Sequence, residues 1–132
     1  MDKVGFYKEL DKAGIGYKKD FSVKKAANFG IGGPAEAFIE TKDMRELKAA
    51  VRAAVKARGR YMAVGNMTNI LVADGRINRI FIKLAGKFGE IGTRGANTVH
   101  AGAAVKNGEL LNFMVKHGLG GLEFRRIGYR RV

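Results

Sequence analysis

The chain has 132 residues, enough for one compact domain or one and a half small ones. Its 46% hydrophobic and 28% charged residues exclude a disordered composition, and the absence of cysteine excludes disulfides, thiolate catalysis and cysteine-ligated zinc. The net charge of +13 points to anionic partners, but the cations run from Lys3 to Arg131 without forming a basic arm or a helical comb.

No apolar run reaches the roughly 18 residues a membrane span needs. No apolar core follows Met1-Asp2-Lys3-Val4-Gly5, so a signal peptide is not expected and a cytoplasmic location is the default.

In chain order, Val4 to Ala13 predicts a short helix with Val4, Phe6, Tyr7 and Leu10 on one side and Gly14 after it. Lys18 to Ala27 is polar and reads as irregular. Asn28 to Pro34 is loop chemistry, with three glycines and the only proline. Ala35 to Thr41 reads as a strand, with Ala37 and Ile39 on one face and Phe38 on the other. A helix follows from Met44 to about Ala57. Asp43 is its N-cap, Glu46 completes a capping box, and Met44, Leu47, Val51 and Val55 form its apolar stripe. Tyr61 to Val64 is a strand-length apolar run, Ile70-Leu71-Val72 another extended piece, and Arg79 to Leu84 a further strand. Phe88 to Thr93 and Thr98 to Ala103 predict a hairpin turned by Arg94-Gly95-Ala96-Asn97. Asn107 caps a last helix with Leu110, Leu111, Met114 and Val115 as its stripe and Gly118 as its stop. This order predicts an α+β fold: an α/β-like first lobe built on a parallel βαβ unit, then the start of an antiparallel lobe.

The stretch with most chemistry is Val64, Gly65, Asn66, Met67, Thr68, Asn69 and Ile70. Gly65 permits a sharp turn, successive backbone N–H groups in such a turn form an anion-binding nest, and the threonine and asparagine side chains add donors suited to a pyrophosphate. The same residues also fit an ordinary Asn/Gly turn. The Gly30 to Gly33 cluster is followed by Pro34 and a strand, and so meets neither the dinucleotide fingerprint nor the P-loop pattern. His100 and His117 read as structural, Asp74 and Glu123 are isolated carboxylates, and no metal site or catalytic constellation emerges.

Taken in order, these motifs resemble one family, the UDP-N-acetylenolpyruvoylglucosamine reductases (UDP-N-acetylmuramate dehydrogenases). Asn28-Phe29-Gly30-Ile31-Gly32-Gly33-Pro34-Ala35 looks like their lead-in segment, and Val64 to Val72 like their Gly-x-Gly-Ser-Asn-Leu-Leu-Val loop. Asp74-Gly75 with Ile80-Phe81-Ile82 fits the next strand. Val99-His100-Ala101-Gly102-Ala103 and Lys116 to Phe124 resemble two later motifs. The resemblance covers about residues 21 to 124. It implies a vanillyl-alcohol-oxidase-type FAD-binding fold divided as 1–20 lead-in, 21–84 first lobe, 85–124 partial second lobe and 125–132 an atypical basic tail.

The implied ligand of Val64 to Ile70 is the FAD pyrophosphate. The implied family reaction is NADPH-dependent reduction of a UDP-sugar enolpyruvyl ether in peptidoglycan synthesis, in which the flavin carries the redox chemistry. Three departures stand out. Met67 replaces a glycine, Thr68 a serine, and Gly30 an arginine that many members carry. The family's Gly-Ile-Pro-Gly-Thr-Val-Gly-Gly stretch and its catalytic serine, arginine and glutamate have no counterpart in these 132 residues. The expectation is therefore an FAD-binding fragment, truncated relative to the family, inactive alone and open to self-association at its incomplete edge or to completion by another chain. The alternative is a non-catalytic basic module for nucleic acid or another polyanion.

Overall fold

The computed structural model describes residues 1–27, 30–68 and 70–122. Asn28, Phe29, Asn69 and residues 123–132 lie outside the described residues, and with them parts of the lead-in motif, one cofactor-loop asparagine and the basic tail. The elements are α1 (Lys3–Lys12), β1 (Tyr17–Ser22), a 3-10 turn (Val23–Lys25), β2 (Pro34–Thr41), α2 (Met44–Lys56), β3 (Tyr61–Val64), β4 (Ile77–Leu84), a second 3-10 turn (Gly86–Gly89), β5 (Ile91–Arg94), β6 (Thr98–Ala101) and α3 (Asn107–Lys116).

The four strands β1 to β4 form one sheet in the order β1-β2-β4-β3, and β5-β6 form a separate hairpin. β2, β4 and β3 are parallel, whereas β1 is an antiparallel edge. The expected βαβ unit is therefore opened: β3, which ends the crossover through α2, is not beside β2, because β4 returns between them. Period-2 patterning fixes which residues face in, but not which strand pairs with which.

The core has two sides. On one, Phe6 and Leu10 of α1 and Ala50, Ala53 and Ala54 of α2, with Ala57 just after it, cover Ala37, Ile39, Ile80 and Ile82. On the other, Val23, Ala27, Met67 and Val72 cover Phe38, Val64 and Phe81. Side chains from Ala37 to Ile39 in β2 and from Ile80 to Ile82 in β4 alternate between the two, as pleating requires. Fully buried Ile39, Ile80 and Ile82 each contribute about 1.5–3 kcal/mol.

Four local expectations change. Lys18 to Ala27 is not irregular: it holds β1 and a 3-10 turn. Its charges mask the strand because they sit on an exposed edge, where Lys19 lies 4.3 Å from the Tyr7 ring centroid and Lys18 5.2 Å from that of Phe21. The buried residues of α2 are Ala50, Ala53 and Ala54, with Leu47 and Val51 of the expected stripe half-buried against the same core, while Met44 and Val55 are exposed; small side chains let this helix lie close on the sheet. In α1, Val4 is 80% exposed and only Phe6 and Leu10 are buried. Ile70 to Val72 forms no strand, and Val72 instead plugs the second side of the core.

The hairpin strands are shorter than expected, because residues 86–89 form a 3-10 turn and Ala103 lies beyond β6. Lys106 rather than Asn107 is the N-cap of α3, whose Leu111 and Val115 are exposed although Met114 is buried. The α2 cap is close to expectation: the Asp43 carboxylate accepts from the Glu46 N–H at 2.9 Å. Glu46 in turn accepts from the Lys42 N–H at 2.8 Å, one residue before the cap.

The glycine-rich approach to β2 has a steric cause. The Gly33 N–H donates to the Ala73 carbonyl at 2.9 Å, and a Cβ on Gly33 would overlap the Gly75 and Asp74 carbonyls. Gly33→Ala should therefore lower stability by about 1–3 kcal/mol in denaturant unfolding, whereas Gly75→Ala, whose Cβ would meet open space, should change it far less.

The Glu46 N–H, helped by Arg45 and Lys87, holds the Asp43 carboxyl below its ordinary value of 3.8. That stabilisation is present above 3.8 and is lost as pH falls through the lower folded value. Asp43→Asn keeps an acceptor oxygen at the cap but cannot titrate. Its melting temperature in an acid series should fall less steeply than that of the unaltered chain; parallel slopes would refute this account of the cap.

Candidate functional site

The chain leaves β3 at Val64 and turns at once through Gly65, Asn66, Met67 and Thr68. This places the loop at the carboxyl end of a parallel strand, where open α/β sheets bind ligands. Val64 is buried beneath it and Ile70 packs against the same core cluster. Asn69 lies outside the described residues.

Met67 decides the loop's shape. Its φ is +54°, a left-handed conformation that costs a non-glycine residue about 1–2 kcal/mol. Its side chain is only 3% exposed and packs with Val64, Val72 and Phe81. The methionine thus does not crowd the mouth of the loop. Burial of its side chain offsets the backbone strain, and the left-handed φ accounts for a glycine serving equally well there.

Among the described residues, no backbone N–H of Gly65, Asn66, Met67 or Thr68 has a hydrogen-bond acceptor. A left-handed residue within a run of free N–H groups is the geometry of an anion-binding nest. Thr68 is exposed beside it and adds a hydroxyl. The Asn66 side chain does not join this donor set: its Nδ2–H donates to the Ala104 carbonyl at 2.8 Å. Gly65 lies so near the same segment that a Cβ there would stand 3.3 Å from the Ala103 carbonyl. The loop is therefore walled on one side by the chain following β6, a partner that local sequence could not reveal, because the two segments are 38 residues apart.

The remaining candidates stand elsewhere. His117 ends α3, with its Nδ1 2.7 Å from the Phe113 carbonyl and its ring stacked on Phe113 at 4.1 Å. His100 is exposed on β6. Asp74 is exposed, and its carbonyl belongs to the close crossing over Gly33. The structure brings none of them to the Gly65–Thr68 turn as a reacting group.

No family model matches the chain. Among curated proteins, the UDP-N-acetylenolpyruvoylglucosamine reductase of Alkaliphilus oremlandii is 32% identical over 129 residues, which is 94% of this chain and 41% of the relative. That of Clostridium botulinum is 34% identical over 106 residues, 80% of this chain and 34% of the relative. Among solved structures, UDP-N-acetylenolpyruvylglucosamine reductase (MurB) from Thermus caldophilus superposes with a TM-score of 0.61 and 28% identity, covering 83% of this chain and 36% of that one. The chain thus spans about two fifths of the length of the curated relatives it matches. With 94% of its length matched in sequence and 83% in fold, the chain belongs to the UDP-N-acetylenolpyruvoylglucosamine reductase family.

Proposed function

We propose that the chain is the FAD-pyrophosphate-binding portion of a flavoprotein reductase of peptidoglycan precursor synthesis, working in the cytoplasm. The observation that carries this reading is the run of unpaired N–H groups from Gly65 to Thr68 at the end of β3. Such donors hold a pyrophosphate by charge-assisted hydrogen bonds without needing a cation. FAD held there would supply the redox chemistry, hydride transfer between NADPH and the enolpyruvyl group of a UDP-sugar.

The chain's own part is binding and positioning. Gly65, Asn66, Met67 and Thr68 present backbone donors and Thr68 a hydroxyl, while Val64 and Ile70 anchor the loop in the core. The Asn66 bond to Ala104 fixes the loop against the start of the second lobe. On this reading residues 21–84 and 85–124 are the two lobes of a vanillyl-alcohol-oxidase-type module. The flavin, the nicotinamide and the UDP-sugar meet only in a protein that also carries the family's catalytic residues, and self-association of the 132 residues alone would use the exposed Leu111 and Val115 of α3.

Titrating the purified chain with FAD, read by flavin fluorescence, tests the cradle. Thr68→Ala should weaken binding roughly 2- to 13-fold, the loss expected for one hydrogen bond. Absence of saturable binding at any FAD concentration would overturn the reading. NADPH oxidation dependent on the enolpyruvyl sugar should be absent for the 132 residues alone, and measured turnover would refute that part.

Met67→Gly relieves the left-handed strain but removes a buried side chain worth about 2–5 kcal/mol. It should destabilise the fold in denaturant unfolding by up to about 4 kcal/mol, the difference left after about 1–2 kcal/mol of strain relief. FAD affinity should survive at temperatures where the variant stays folded.

A further inference from the structure

At the opposite end of β3 from the Gly65 loop, a notch of about 350 Å³ is lined by Met1, Lys3, Glu36, Arg58, Arg60, Arg76, Asn78, Arg79 and Ile80. Five of these residues are cationic and one is a carboxylate. Glu36 is committed to Lys3 at 2.6 Å, and Arg76 is committed to Asp20 at 2.7 Å. Arg58, Arg60 and Arg79 have no ion pair and no side-chain hydrogen bond among the described residues.

Backbone pairing forces two of them together. The Ile80 N–H donates to the Arg60 carbonyl at 2.8 Å, so Arg60 and Arg79 stand side by side where β3 and β4 begin. The β2–β4 register slips here, with Ala35 opposite Ile77 and Ala37 opposite Ile80. In a regular strand Asn78 and Arg79 would point to opposite faces, yet both line the notch. Strand irregularities of this kind re-aim side chains and recur beside binding sites.

Three uncommitted guanidinium groups around one concavity repel one another and focus positive potential into it. Arginine forks match phosphate oxygens two at a time. A single phosphate group carries about −1.5 to −2 charges, so balancing three arginines takes two linked groups. We propose that this notch is a second anion site, for a small ligand bearing a pyrophosphate or longer polyphosphate. It is separate from the flavin cradle: five residues of strand, at about 3.3 Å each, put Arg60 roughly 16 Å from Gly65. The notch is concave and confined to one end of the sheet, which favours a compact polyphosphate over an extended nucleic acid strand.

The experiment is calorimetric titration of the full 132-residue chain with inorganic pyrophosphate at fixed ionic strength, in parallel with Arg60→Gln, Arg79→Gln, Arg94→Gln and Thr68→Ala. Arg94 lies on the exposed hairpin and controls for lost charge. Thr68→Ala controls for pyrophosphate in the flavin cradle. The expected result is at least a tenfold loss of affinity in each of Arg60→Gln and Arg79→Gln, with little change in Arg94→Gln; Thr68→Ala should weaken only the pyrophosphate bound in the flavin cradle and leave the arginine-dependent binding in place. Melting curves of the two notch variants should show a fold at least as stable as the unaltered chain, because each removes a like-charge contact.

Three results would overturn the proposal: no saturable binding, an equal loss in Arg94→Gln, or a loss confined to Thr68→Ala. Tighter binding of single-stranded oligonucleotide than of pyrophosphate, insensitive to Arg60→Gln, would assign the charge to a diffuse nucleic-acid surface instead. Failure of FAD to bind would leave the arginine result standing, so the two readings fail separately.

Discussion

Strand β4 is the constraint on which the rest of the structure depends. It is hydrogen-bonded along both edges, to β2 on one side and β3 on the other, and it is buried on both faces through Ile80, Phe81 and Ile82. An all-parallel pairing of this kind is stable only when both faces are covered. Here α1 and α2 cover one, and the 3-10 turn after β1 and the side chains of Met67, Ile70 and Val72 cover the other. Any residue that displaced β4 would open both halves of the core at once.

The two ends of β3 follow from that placement. At its amino end, pairing with β4 sets Arg60 beside Arg79. At its carboxyl end, the chain must leave the sheet and come back over its second face to reach β4. Met67 and Val72 are the side chains that make this return, and their burial anchors the segment between them. The loop's backbone donors stay free because the methionine's conformation turns its side chain inward, toward Val64 and Phe81. Core packing and the proposed anion cradle are thus two consequences of one left-handed residue.

Hydrogen bonds fix the chain on either side of the hairpin. The Lys87 N–H donates to the Lys42 carbonyl at 2.9 Å, and the Ala104 N–H donates to the Phe88 carbonyl at 2.8 Å. Asn66 bonds Ala104 from the other side. A Cβ on Gly102 would overlap the Phe88 carbonyl, so the glycine of the Ala101-Gly102-Ala103 motif permits this crossing. Outside these contacts α3 is lightly packed: Val115 is 79% exposed, and Met114 is the only buried large side chain among the described residues of α3.

The sequence by itself determined most of the helices and strands, the family and the position of the phosphate-binding candidate. These rest on local signals: alternation in β2 and β4, the Asp43–Glu46 cap, glycines at turns, and motifs in a fixed order. It missed β1, whose Lys18, Lys19 and Asp20 imitate a loop while solvent and aromatic rings accommodate their charges. It found only half of the buried face of α2: Leu47 and Val51 pack against the core as expected, but the most deeply buried positions are alanines, which score weakly as apolar yet suit close helix–sheet contact. Only the tertiary structure decided that β4 lies between β2 and β3, that the Asn66 side chain bonds the Ala104 carbonyl, and that Arg58, Arg60 and Arg79 share one notch. Each of these depends on a contact between residues distant in the chain. Local periodicity carries no information about such contacts, because it specifies which way a side chain faces and not what it will meet.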